Sequence, residues 1–177
     1  ADTMTTFDFT LQVKEIPEYF NYFENGVDSI QNLAGNPSQV EIESVQYNGS
    51  GALKASFGSD RPSIIDTAAP KFKDGIFEAD VTPQASPLRF GFVLRANNHN
   101  QRLYVGYGDS EGKWFWEYWN GTANNYSGMF SGPNMEIGKT SHFKTQLVGN
   151  KLSLWVDGQE VMKEAVIGGL FDEAGSV

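Results

Sequence analysis

The chain has no cysteine at all in its 177 residues, so thiol catalysis, thiolate metal sites and disulfide stapling are excluded. Positive charge is scarce too. Thirteen Lys and Arg stand against 22 Asp and Glu, a formal charge of −9. Such a balance repels phosphate backbones and anionic lipid, and no basic stripe compensates for it locally, so neither nucleic acid nor a membrane is expected as a partner. There is no apolar run of transmembrane length, no long amphipathic helical pattern and no charged-then-apolar leader at Ala1. If the protein is exported, its leader has already been removed. Also missing are an HExxH pair, any second histidine at ligand spacing from His99 or His142, and a GxSxG elbow.

What is present is glycine (19 residues), aromatic side chains (14%) and short alternating runs broken by Asn-Gly, Asp-Gly and Gly-Asn turns. That pattern indicates an all-β protein, and the length suits one sandwich of two antiparallel sheets. Alternation predicts strands over Thr5–Val13, Tyr19–Asn25, Val40–Tyr47, Ala52–Phe57, Ile76–Val81, Ser141–Val148, Leu152–Asp157 and Gln159–Ala165. Gly26–Pro37 reads as a loop. Ser59–Pro70, with its two prolines, allows only a short or edge strand. The tail, Gly168–Val177, looks like the opening of a strand, and Thr5–Val13 is a candidate for the place beside it, in this chain or in a neighbour.

The densest stretch is Leu88–Trp119, with three of the four tryptophans and three of the seven tyrosines. Arg89–Arg95, Arg102–Tyr107 and Lys113–Trp119 alternate and are separated by polar segments, which predicts a three-stranded antiparallel meander. Because side chains alternate across a strand, Phe90, Phe92, Leu94, Leu103, Val105, Tyr107, Trp114, Trp116 and Tyr118 form a core face. The opposite face would then carry Arg95, Tyr104, Glu117 and Trp119, kept shallow by Gly91 and Gly106. Solvent faces of antiparallel sheets are normally Thr, Ser, Lys and Glu. Aromatic rings beside a guanidinium and a carboxylate suit a sugar instead, whose C–H face stacks while its hydroxyls accept from arginine and donate to carboxylate. An ordinary Arg95–Glu117 ion pair, with Trp119 packed under a loop, is the competing account of the same residues.

Three outlying residues join this candidate site. Tyr126 lies in the long polar loop Asn120–Asn134, where Met129 and Phe130 are expected to tether the loop to the core. Arg61 could reach a ligand from the proline-rich segment, and Trp155 stands on the polar face of the Ser141–Asp157 hairpin. Carboxylates for a glycosidase exist in Glu78, Asp80, Asp109, Glu111 and Glu117, but no pair is singled out at the required separation. The expected activity is therefore binding without catalysis.

FENG at Phe23–Gly26, NGSGALKASF at Asn48–Phe57, and RFGFVLRANNHNQRLYVGYG followed by WFWEYW resemble a known group. They look like the concanavalin A-like (laminin G-like) jelly-roll modules of bacterial glycoside hydrolases, and within these the family 66 carbohydrate-binding modules and accessory domains of endo-α-N-acetylgalactosaminidases. The resemblance spans roughly Phe20–Val177. It implies a jelly-roll sandwich and a non-catalytic accessory role in a larger, secreted or cell-surface bacterial glycoside hydrolase, with other modules of the same polypeptide as neighbours. It also implies a structural calcium near the first strand, for which Glu24 is the matching carboxylate and Asn48 a helper. A protein-binding or structural sandwich of a bacterial surface protein is the alternative.

Overall fold

A computed structural model describes residues 19–57, 63–85, 89–98, 101–108, 113–126, 129–170 and 174–177. The strands expected at Thr5–Val13 and the candidate Arg61 lie outside the described residues. Those described form twelve strands and one 3-10 turn at Pro37–Gln39. All strand pairs are antiparallel.

One four-stranded sheet is the meander β6 (Arg89–Asn98), β7 (Gln101–Gly108) and β8 (Lys113–Asn120), extended by β9 (Asn124–Tyr126). The other takes the order β12 (Gln159–Val166), β11 (Lys151–Val156), β10 (Ser141–Val148), β5 (Gly75–Val81). Two smaller sheets complete the set: β1 (Ile30–Ala34) with β4 (Ser63–Asp66), and the hairpin β2 (Val40–Tyr47) with β3 (Ser50–Phe57). The hairpin turns through Asn48 and Gly49, both at positive φ (53° and 85°), which is the backbone that an Asn-Gly pair tolerates in a tight turn.

The two four-stranded sheets bury their alternating apolar faces against each other. Leu94, Leu103, Val105, Tyr107, Trp114, Trp116 and Tyr118 from one meet Phe143, Leu147, Leu152, Leu154, Val156 and Met162 from the other. Phe143 is the hub of this core. Its ring meets Phe90 edge-on at 5.7 Å, Phe92 at 5.4 Å and Trp114 at 5.3 Å. Burying a ring of that size stabilises by roughly 2–3 kcal/mol. Trp114 satisfies its indole N–H on Pro133 O at 2.9 Å, and its backbone exchanges two hydrogen bonds with Phe130. Phe130 thus tethers the loop as expected, whereas Met129 is 42% exposed.

Several segments depart from the sequence reading. Tyr19–Asn25 is not a strand: the Phe23 N–H turns back onto Asn21 Oδ1 (2.9 Å) and Phe23 sits at φ 55°, so the extended run is interrupted. Gly26–Pro37 is not all loop, because Ile30–Ala34 pairs with Ser63–Asp66, a partner distant in the chain that no local periodicity reveals. Within the loop Asn120–Asn134, Asn124–Tyr126 adds a fourth strand to the meander.

The tail does pair. Gly175 and Ser176 bridge antiparallel to Phe72 and Ala96, and the Asp66 N–H donates to Val177 O at 3.0 Å. Gly175 passes so close that a Cβ there would stand 2.3 Å from the carbonyl carbon of Arg95.

Candidate functional site

The register of the meander lines up Val93, Tyr104, Glu117 and Tyr126 as one cross-strand row, with Arg102, Trp119 and Asn124 as the next. These rows belong to the face turned away from the core. Tyr104, Glu117 and Trp119, named from the sequence, therefore do converge, and the backbone of Tyr126 pairs with Glu117 beside them.

Glycine sets the floor of this face. Gly91 and Gly106 are direct cross-strand partners, and an added Cβ would lie 2.7 Å (Gly91) or 2.4 Å (Gly106) from the ring of Tyr104. The ring fits the notch that two missing side chains leave, next to buried Phe115 at 5.6 Å between centroids. Gly106→Ala is expected to displace it and crowd Phe90 O, 2.7 Å from the new Cβ. Overpacking of this kind costs about 1–3 kcal/mol, read as a fall of roughly 2–12 °C in Tm by calorimetry. An unchanged Tm would mean that the notch is not filled.

Beside the notch, the Glu117 carboxylate accepts through Oε1 from the Trp119 indole N–H at 3.2 Å and from the Asn124 amide. These two bonds on one oxygen orient the carboxylate. Arg102 holds its guanidinium carbon 6.0 Å from the centre of the Trp119 ring, at the limit of a cation–π contact. Burial pulls the Arg102 guanidinium below its ordinary value, while Glu117 and Tyr104 act in the opposite sense. Tyr104, Glu117, Trp119 and Arg102 are all half-buried, and Asn124 is exposed. The result is a shallow surface of rings, one fixed acceptor and one cation.

Arg95 is not part of it. Its side chain is only 1% exposed and is buried against the segment before β5 and the β10–β11 turn, where Nε donates to Lys73 O at 2.5 Å and Nη2 to Gly149 O at 2.7 Å and Asp74 at 3.1 Å. The cause is a bulge: the β6–β7 register shifts between Leu94 and Asn98, and Arg95 adopts φ 50°, so strict alternation ends there. Arg102 takes the cationic position that the sequence reading assigned to Arg95. The alternation itself placed Arg102 beside Tyr104, which is the signal that could have selected it. Nothing local marked Asn124, whose contribution depends on β9.

Trp155 is half-buried on the other four-stranded sheet, between Lys144 and Glu160 in register, and so lies apart from the Tyr104–Trp119 surface. Glu24 packs against the β2–β3 hairpin, its Cγ 2.8 Å from where a Gly51 side chain would begin, on the hairpin whose turn starts at Asn48. Together Glu24 and Asn48 offer at most three side-chain oxygens where calcium takes six to eight. Among the described residues no group of three or more His, Asp or Glu could hold a metal. These residues do not by themselves fit the implied calcium.

The fold is an all-β sandwich of antiparallel sheets, an architecture shared with a carbohydrate-binding module. The chain is similar to the solved structure of carbohydrate binding module CBM66 from Bacillus subtilis, with a TM-score of 0.56 across 84% of each chain and 13% sequence identity. At that identity the likeness establishes the fold alone. No protein-family model and no curated protein matches the sequence.

Proposed function

We propose that this chain is a non-catalytic carbohydrate-binding module that holds a glycan on the outer face of the β6–β9 sheet. The carrying observation is the Glu117 carboxylate, fixed by Trp119 and Asn124 within a partly open surface of Tyr104, Trp119 and Arg102. A pyranose or furanose ring offers a C–H face to Trp119 or Tyr104, hydroxyl protons to Glu117 and hydroxyl oxygens to Arg102. Tyr126, whose backbone pairs with Glu117, is included in the proposed surface. The proposed setting is a secreted or cell-surface bacterial glycoside hydrolase, which this module would keep near its substrate. The fold shared with a carbohydrate binding module supports that reading.

Affinity gel electrophoresis in inulin, galactan, laminarin and xylan tests it directly. At least one polysaccharide is expected to retard the chain, and a reducing-sugar assay to detect no product. Migration identical to that in plain gel for every polymer would favour a protein-binding sandwich instead. The reading does not require calcium. Melting curves with and without EDTA are expected to coincide, and a fall in Tm on chelation would restore a metal role for Glu24.

A further inference from the structure

The geometry points to a second glycan contact on a different part of the molecule, formed by Phe20 and Tyr22 at the open hollow that they help to line. The two rings are 68% and 61% exposed, nearly parallel (4°) and stacked with their centroids 6.2 Å apart. Single exposed apolar side chains are ordinary, but two large rings held parallel and adjacent form a fixed aromatic pair, a platform rather than scattered surface residues.

The segment curls through the left-handed backbone of Phe23 and Gly26 (φ 55° and 100°) around an open hollow of about 330 Å³. Glu24, Asn25, Asp28 and Ser29 line that hollow together with both rings. An exposed aromatic pair bordered by carboxylate, amide and hydroxyl groups matches a sugar's C–H face and its hydroxyls, the chemistry already proposed for the β6–β9 surface. A stable protein partner would need to bury roughly 800 Å² per side, and two rings beside a polar cup are a small part of such an area.

The platform is anchored rather than loose. Asp66 at the end of β4 accepts from Tyr19 Oη at 2.8 Å and from the Asn21 amide at 2.7 Å, and the Ser44 hydroxyl on β2 donates to Phe23 O. Burial pushes the Asp66 carboxyl up, but the hydrogen bonds from Asn21, Ser29, Tyr19 and the Ala68 N–H outweigh it, so the carboxylate is held below its ordinary value. These anchors lie on the two small sheets, not on the sheet that carries Trp119. One chain would thus grip a polysaccharide at two places, which raises its retention beyond that of either contact alone.

The inference rests on the carbohydrate reading, and the experiment separates the two. The unmodified chain, the double variant Phe20→Ala/Tyr22→Ala, and Trp119→Ala are run in affinity gels of inulin, galactan, laminarin and xylan. Loss of the two exposed rings is expected to weaken retention about tenfold with Tm unchanged. The ring-preserving pair Phe20→Tyr/Tyr22→Phe is expected to retain it. Hydroxyl-radical footprinting of the unmodified chain gives an answer independent of any variant: the retarding polysaccharide is expected to protect Phe20 and Tyr22 from oxidation. Full retention by the double variant, or no protection, overturns the second contact. If Trp119→Ala alone keeps full retention, the β6–β9 reading fails while the second contact stands. Absence of retardation in every gel overturns both.

Discussion

Arg95→Ala is expected to destabilise the protein without weakening its intrinsic affinity for glycan. The guanidinium joins three segments that are distant in sequence: β6 itself, Lys73 and Asp74 before β5, and Gly149 in the β10–β11 turn. Asp74 adds to the same junction by accepting from the Gly149 N–H at 2.7 Å. Truncation leaves two carbonyls and a carboxylate without their buried donor. Breaking a buried pair costs about 3–5 kcal/mol. Asp74 is 49% exposed and water can rescue it, so the lower end applies. About 3 kcal/mol corresponds to roughly 6–12 °C of Tm at this chain length. Arg95→Lys would keep the charge but lose the fork that serves two carbonyls and Asp74, and should recover only part of the loss. A melting curve unmoved by Arg95→Ala, together with loss of glycan retention, would return this residue to the binding face.

Trp119→Ala should produce the opposite result. The indole is half-buried, donates to Glu117 and underlies Arg102. Its removal takes away a stacking surface, releases one of the two bonds that orient the carboxylate and removes the ring beneath the Arg102 guanidinium. Stacking, cation–π contact and a charge-assisted bond together are worth about 1.5–3 kcal/mol, or about ten- to a hundredfold in affinity. Stability should change by no more than about 1 kcal/mol, because no core contact is lost. Calorimetric titration of the retarding glycan alongside a thermal melt distinguishes the outcomes. Equal affinity in the variant would remove Trp119 from the site, and a collapse in Tm would assign it to the core.

The two variants together show where a period-two reading succeeds and where it stops. Across β6, β7 and β8 the apolar set sorts correctly into the core because each residue's side follows from its parity, and both sheets bury one face. Tyr104, Glu117 and Trp119 fall on the other face for the same reason, and parity also puts Gly91 and Gly106 on that face. The β2–β3 and β10–β11 hairpins were legible from Asn-Gly and Gly-Asn turns, whose chemistry is local.

Parity fails at Arg95, where one left-handed residue in a bulge reverses direction and sends a candidate ligand into the interior. The bulge is stabilised from outside its own strand, by the tail residues Gly175 and Ser176 some eighty positions later and by Asp74 and Gly149. β1 was missed for a related reason, its pairing with β4 being long-range. By itself the sequence determined the class of fold, the core faces and the aromatic character of the outer surface, because those depend on composition and on the alternation of neighbouring residues. Only the tertiary structure decided which cation serves that surface, that Asn124 orients its carboxylate, and that Phe20 and Tyr22 stand as an exposed pair. Each of these depends on contacts between segments far apart in the chain, which no local pattern encodes.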